Sequence, residues 1–312
     1  VNLPAPAPLS LARQLRDFPA LAASLRGVER AAASDAPVLI LGEPGTGRSA
    51  LARALHAASP RSASALIEVD PGAVPSALFE SEFFGYRPGA FTGATAAADG
   101  RVARAAGGTL VLDHVEELPL AVQPKLLRLL AERRYAPLGG EETEVDARFI
   151  AIGPQDLTDR MAQGTFRADL YYRLEVLAFV LPPLRERRAD LPALLDDLLL
   201  DLGDRFARPG LTLTPNARAW LLDHSWPGNL RQLRNALERG LILGDAPSHL
   251  LDPPRQADPP PSTAVPARLA DLECAHIRTV LAHTRGHQGH AAALLGISRK
   301  SLWEKRRRYG IP

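Results

Sequence analysis

The clearest chemistry in this chain lies in Gly42-Glu43-Pro44-Gly45-Thr46-Gly47-Arg48-Ser49. These residues fit G-x-x-x-x-G-x-[ST], a loop whose backbone N–H groups converge on phosphate oxygens. The N-terminus of the following helix adds the positive end of its dipole. Lysine ordinarily precedes the hydroxyl residue, and Arg48 stands there instead. It keeps the charge but is planar, longer and bulkier, so the exchange is not conservative at a tight phosphate site. A plain strand-to-helix turn is the alternative reading. Downstream, the apolar run from Thr109 ends in Asp113, with His114 next. A histidine that is neutral near pH 7 accepts a proton; the alternative is a polar residue tolerated at a strand end. Between these segments lies Gly89-Ala90-Phe91-Thr92-Gly93-Ala94. Small neighbours give Phe91 no packing frame, so it reads as a probe presented to a partner, or else as an incidental aromatic in a glycine-rich turn. The last fourteen residues, RKSLWEKRRRYGIP, hold six bases and one acid, a local footprint for phosphate.

Alternating strands and helices must position these groups. Residues 38–41 (VLIL), 65–69 (ALIEV), 109–113 (TLVLD) and 147–152 (ARFIAI) read as strands, and Pro119 to Arg134 as a helix with leucines at helical spacing. Such alternation predicts an α/β fold with a parallel sheet covered on both faces. After Pro182-Pro183 the pattern turns helical: Asp190 to Phe206, Thr214 to His224 and Asn229 to Leu243. The proline-dense stretch after Asp245 forbids regular structure and reads as a semi-rigid linker. Further on, Asp271 to Thr284 reads as one helix. His287 to Leu295 and Arg299 to Tyr309 read as two more, joined by a turn in which Gly296 ends one helix and Ser298 caps the next. That pair, with a basic second member, describes a helix-turn-helix.

The chain has 312 residues, enough for two or three domains. Its single cysteine, Cys274, excludes an intramolecular disulfide and suits a reducing compartment. No apolar run approaches a membrane span and no signal-peptide pattern opens the sequence, so a cytoplasmic protein without membrane partners is expected. A net charge of +2 selects no partner by itself; the clustering of bases at the C-terminus does.

From the phosphate loop through the GAFTGA hexapeptide to residue 245, the chain resembles the AAA+ domain of bacterial sigma-54-dependent activators, the enhancer-binding proteins. The resemblance implies an AAA+ P-loop NTPase core that binds ATP with magnesium, followed by a helical lid. The boundaries expected are an N-terminal segment 1–19, an α/β subdomain 20–180, a lid 181–245, a linker 246–266 and a DNA-binding domain 267–312. Gly42, Glu43, Gly45, Thr46, Gly47, Arg48 and Ser49 would bind nucleotide, and Asp113 matches the magnesium-associated aspartate. His114 stands where the family has a water-polarising glutamate. Asp70 stands where an asparagine holds that glutamate; with no glutamate at 114, such a switch has nothing to hold. Gly153-Pro154 replaces the Thr-Asn pair of sensor I and offers no side-chain donor to the γ-phosphate. The segment Phe166 to Leu174 matches the arginine-finger segment, with Arg167 and Arg173 the candidates; ion pairs with Asp169 or Glu175 are the alternative. Arg231, in the WPGNLRQL run, matches the sensor II arginine. The run AAALLGISRKSLWEKRRRYGI resembles the Fis-type helix-turn-helix. There Arg299, Lys300, Ser301 and Trp303 would face the major groove, and Lys305, Arg306, Arg307 and Arg308 would contact phosphates.

The resemblance implies a regulator that binds a two-fold DNA site as a dimer. It assembles into a ring, a hexamer by family, and meets sigma-54 RNA polymerase through Gly89 to Ala94. The departures at positions 48, 70, 114 and 153–154 surround one γ-phosphate and predict impaired hydrolysis. The alternative is a non-hydrolysing DNA-binding regulator that acts by occupancy, by co-assembly with competent subunits or through a second-messenger nucleotide. Residues 1–19 are too few for a receiver or sensor domain. The expectation is therefore a fragment, or a chain controlled by a partner or ligand.

Overall fold

In the computed structural model, residues 10–243 (Pro209 aside) and 273–311 (275, 279, 282, 283, 285 and 286 aside) are described. The proposed linker 246–266 lies outside them. The chain divides into two compact units between Leu251 and Asp252.

Five strands build the central sheet of the first unit: β1 (Val38–Gly42), β2 (Leu66–Val69), β5 (Thr109–Leu112), β8 (Arg148–Gly153) and β9 (Leu177–Leu181). Four shorter strands form two hairpins, β3 (Gly85–Tyr86) with β4 (Ala98–Asp99), and β6 (Arg134–Tyr135) with β7 (Thr143–Glu144). The sheet order is β2-β5-β8-β1-β9 with every pairing parallel, as the alternation predicts. Side chains alternate across it. Val38, Ile40, Ile150 and Ile152 enter one apolar layer, while Leu39, Leu41, Phe149 and Ala151 enter the other. Burial on both faces is what makes these strands apolar throughout. Strand β9, not anticipated from the sequence, sits at the edge beside β1. Its run, Leu177 to Leu181, is apolar throughout, although Val180 is exposed.

The carboxyl ends of β1, β5 and β8 converge, and ligands of open parallel sheets bind at such ends. Helix Arg48–Ala57 starts at the end of β1, with Gly47 in the left-handed region at φ 104°. The helices Leu11–Asp17 and Pro19–Ser24 extend the fold N-terminal to residue 20. The second is tied to the lid by the buried Asp190, which accepts from the Ala20 and Leu21 N–H groups and pairs with Arg187.

Beyond β9 lie the lid helices Leu191–Arg205, Pro215–Asp223 and Asn229–Leu243. They match the periodic segments to within a residue at each end. Trp226 is 1% exposed among them, its indole N–H bonded to the Leu221 carbonyl. In the second unit, helices Gln288–Leu294 and Arg299–Tyr309 pack around Ala291, Ala292 and Leu302 with Ile277 and Leu281. Ser298 caps the second helix by accepting from Ser301 N–H, and Gly296 takes φ 67° in the turn. Among the described residues no helix is long and apolar enough to cross a membrane.

Candidate functional site

The phosphate loop is a tight cradle. Gly42, Gly45 and Gly47 all have positive φ, and a Cβ on Gly45 would come within 2.6 Å of the Gly228 carbonyl oxygen. Thr46 is buried, its hydroxyl donating to the Glu43 carbonyl at 2.8 Å. Ser49 Oγ donates to Asp113 Oδ2 at 2.8 Å, so the loop hydroxyl expected to bind nucleotide meets the aspartate expected around magnesium. The glycine cradle and this pair fit a nucleotide with its magnesium; Ser49 and Asp113 would hold the ion, which supplies positive charge to the phosphates.

Arg48 is held against backbone carbonyls at the sheet's edge of the loop. It is 7% exposed, and Nη1 donates to the carbonyls of Gly42 at 2.9 Å and Gly153 at 2.5 Å. The guanidinium thereby bridges the ends of β1 and β8. Burial pushes its pKa down, opposed by the attraction of Asp113 and Glu116. Gly153 is part of the same arrangement, since a Cβ there would lie 3.1 Å from Val115 Cγ1. The departures at 48 and 153 are therefore in direct contact.

The departures at 70 and 114 also meet. His114 follows β5 in the left-handed region at φ 54°, its N–H donating to Asp113 Oδ1. Its Nδ1 lies 3.3 Å from Asp70 Oδ2, while Asp70 Oδ1 accepts from Gly72 N–H at 3.0 Å. The expectation that residue 70 has nothing to hold is thus corrected: the imidazole takes the glutamate's place as its neighbour. Glu116, close after the end of β5, lies near enough to His114 and Arg48 to feel their charge. Its Oε2 is buried with no hydrogen-bond partner among the described residues, and burial pushes its pKa up.

Glu43 serves the lid. Its carboxylate accepts two bonds from Arg185, at 2.6 and 2.8 Å, and one from Asn229 Nδ2 at 3.2 Å. The Arg185 bond, first, holds its pKa below the ordinary carboxylate value. Asn229 also donates to the Pro44 carbonyl and accepts from Leu184 N–H, and Leu230 N–H donates to the Gly45 carbonyl. Glu43 was expected to bind nucleotide; its side chain instead fastens the lid to the phosphate loop. Neither Arg185 nor Asn229 is singled out by the sequence, although Asn229 lies in the WPGNLRQL run that carries the resemblance. Arg231, one turn into the lid helix, packs its Cβ against Gly45 and is close enough to Arg48 to lower its pKa.

The finger candidates stand apart from this site. Arg167 is bidentate on Asp169, at 2.7 and 3.0 Å, which is the intramolecular pairing the sequence left open. Arg173 donates to the carbonyls of Leu130 and Ala131 rather than to Glu175.

Gly89 to Ala94 cap the β3–β4 hairpin. The Gly89 N–H donates to Ala94 O and the Ala94 N–H to Phe91 O, with Gly89 at φ 83° and Gly93 at φ 102°. Ala94 is buried at the base, while Phe91 is 46% exposed and packs in a T-shaped arrangement with Tyr86, ring centroids 5.0 Å apart. The second hairpin braces this base through Arg87 N–H to Leu138 O and Leu138 N–H to Gly85 O.

In the helix-turn-helix, Arg299, Lys300, Trp303, Arg307 and Arg308 are exposed, and Arg307 stacks over Trp303 at 5.7 Å. Arg299 lies against Gly289, whose added Cβ would come within 2.5 Å of its Nη2. Ser301 bonds back to the cap. Lys305 pairs with Glu273, and Arg306 is half-buried, so these two are drawn into the module rather than offered to phosphate.

Comparison with known proteins agrees with this architecture. Residues 15–180 match the family described as Sigma-54 interaction domain, residues 185–254 the AAA+ ATPase lid domain, and residues 268–309 the Bacterial regulatory protein, Fis family. The alginate biosynthesis transcriptional regulatory protein AlgB of Pseudomonas aeruginosa is 40% identical over 94% of this chain and 66% of its own length. The regulatory protein AtoC of Escherichia coli is 39% identical over 95% of this chain and 68% of its own. The chain thus spans about two thirds of the length of these relatives. The crystal structure of NtrX from Brucella abortus superposes with a TM-score of 0.70 at 32% identity, covering 96% of this chain and 72% of that one. Its complex with ATP gives 0.68 at 31% identity, over 99% and 70%. An AAA+ core, its lid and a Fis-type helix-turn-helix in one chain make this protein a member of the sigma-54-dependent transcriptional activator family.

Proposed function

We propose that this chain is a sequence-specific DNA-binding transcription regulator. It binds ATP with magnesium at Gly42–Ser49, Asp113 and Arg231, and presents Phe91 and Thr92 to sigma-54 RNA polymerase. It hydrolyses ATP more slowly than relatives that carry the usual lysine and glutamate. Exposed Phe91 on a braced hairpin carries the contact reading, because a large apolar side chain in water gains nothing for the fold. The contacts of Arg48 with Gly153 support slow hydrolysis: a cation held by two backbone carbonyls is not positioned as a free ammonium is. The basic helix Arg299–Tyr309 supports DNA binding as a dimer on a two-fold site. Arg167 and Arg173 reach a neighbour's nucleotide in a ring once Arg167 releases Asp169.

The second reading, a non-hydrolysing regulator acting by occupancy or by co-assembly with competent subunits, is favoured by the same bridging of Arg48. Binding of sigma-54 to the purified chain with ATP and with a transition-state analogue tests the proposal. Capture of sigma-54 by the analogue complex, lost in Phe91→Ala, is the expected result. No capture under either condition overturns the sigma-factor contact and favours the occupancy reading.

A further inference from the structure

The helix Arg299–Tyr309 has two faces of different chemistry. Leu302 is buried, Lys305 pairs with Glu273, Tyr309 donates its hydroxyl to the same carboxylate, and Arg306 is half-buried, so these four face the module. Away from them lie Lys300, Trp303, Glu304 and Arg307, all exposed and spaced i, i+3, i+4 and i+7, which is the spacing of one helical stripe. Glu304 is the only acid of this helix and sits within that stripe. Three cations stand about one turn from it: Lys300 at i−4, Arg307 at i+3 and Arg308 at i+4. A glutamate four residues before a basic residue is the favourable order for an ion pair. The chain forms pairs at four-residue spacing elsewhere, Arg128 with Glu132 and Arg234 with Glu238. Yet among the described residues Glu304 has no ion-pair or hydrogen-bond partner. The two arginines turn to rings instead, Arg307 over Trp303 at 5.7 Å and Arg308 over Tyr309 at 5.9 Å.

In a helix-turn-helix the second helix lies in the major groove with the residues of its first turns at base edges. A carboxylate is repelled by phosphate and only accepts hydrogen bonds, so in that groove it needs a donor. Two base groups donate there, the amino groups of cytosine and of adenine. Adenine carries its N7 acceptor beside the amino group, which repels a carboxylate; cytosine has no acceptor on that edge. We infer that Glu304 is a specificity residue that reads cytosine, its carboxylate accepting from the N4 amino group in each half of a two-fold site. This rests on the reading of the module as a sequence-specific DNA binder, and adds the base that one of its side chains selects.

The test selects binding sites from a random duplex library with the full chain, as wild type and as Glu304→Ala and Glu304→Gln. Glu304 is exposed and unpaired, so neither change disturbs the packing around Leu302. The wild type is expected to require cytosine at one symmetric pair of positions, a mismatch there costing about tenfold in affinity. Glu304→Ala removes that requirement and leaves the others in place. Glu304→Gln moves it to adenine, whose amino group and N7 match an amide bidentately. The same selected sites in all three proteins overturn the inference. So does tighter binding of Glu304→Ala to all sequences alike with no position relaxed, the mark of a carboxylate set against phosphate. A wild type that selects no sequence refutes the sequence-specific reading itself, whatever the variants do.

Discussion

At the scale of single residues, Arg48 and His114 are ordinary-looking exchanges that acquire meaning from what they touch. Arg48 lies on Gly153 O and His114 lies on Asp70, so repair of the site has to respect both contacts. His114→Glu alone would set two carboxylates side by side, and like charges at that range raise the pKa of one of them strongly. That single variant is expected to lose thermal stability and gain no turnover. Adding Asp70→Asn restores both, and a calorimetric melt with an ATPase assay on the same samples checks it. Glu116 gives a second residue-scale prediction. Its folded pKa is raised by burial, so the ionised form is disfavoured in the native state. Stability is then lost as pH rises from the unfolded value through the folded one. Glu116→Gln should stabilise the nucleotide-free protein near pH 7.5 by about 1–2 kcal/mol, as expected for relieving a buried unsatisfied charge. The gain should shrink as pH falls through the raised folded value and be gone below about pH 4.5. Melting temperatures of both proteins across that range decide it.

At the scale of elements, the lid and the phosphate loop are one mechanical unit. The lid helix beginning at Asn229 touches the loop through Asn229 and Leu230, and Arg185 grips Glu43 from the other end. Both partners of the Arg185–Glu43 pair are partly exposed, so Glu43→Gln should cost only about 1 kcal/mol of stability. Because the folded pKa of Glu43 is depressed, this contribution is present above the ordinary carboxylate value and fades as pH falls through the folded one. Nucleotide affinity should fall more than the melting temperature suggests, since the lid then no longer holds Gly45 in place; titration calorimetry with ATP measures this. The recognition helix supplies another element-scale prediction. Arg307→Ala and Arg308→Ala should weaken binding to all DNA sequences alike and lower the salt dependence by about one ion each. Lys305→Ala should instead destabilise the module through Glu273 while leaving the salt slope unchanged.

At the scale of the whole molecule, the sheet, the lid helices and the helix-turn-helix were legible because each rests on local signals. These are apolar strands buried on both faces, helical spacing of leucines, and a glycine and a serine at the turn. Strand β9 was missed because a five-residue run that is apolar throughout has no period of its own to separate strand from buried helix. The glycine loop, Asp113 and the projecting Phe91 could also be read from spacing. What could not be read is which side chains meet across the site. The contact of Asp70 with His114 joins segments brought together by the pairing of β2 with β5, and that of Arg48 with Gly153 depends on β1 lying beside β8. Neither distance is encoded in any local window. The same holds for Glu43, whose loop position suggested a ligand role while its partners sit far along the chain in the lid.

On the proposed function, the site binds nucleotide yet turns it over slowly because of these contacts. ATP turnover by the wild type and by the Arg48→Lys, Asp70→Asn, His114→Glu triple variant, both saturated with magnesium–ATP, tests it most directly. Measurable ATP binding is expected in both, with turnover about a hundredfold faster in the triple variant, the low end of what a repositioned acid–base group and phosphate cation contribute. Equal turnover in the two proteins, or faster turnover in the wild type, would contradict it.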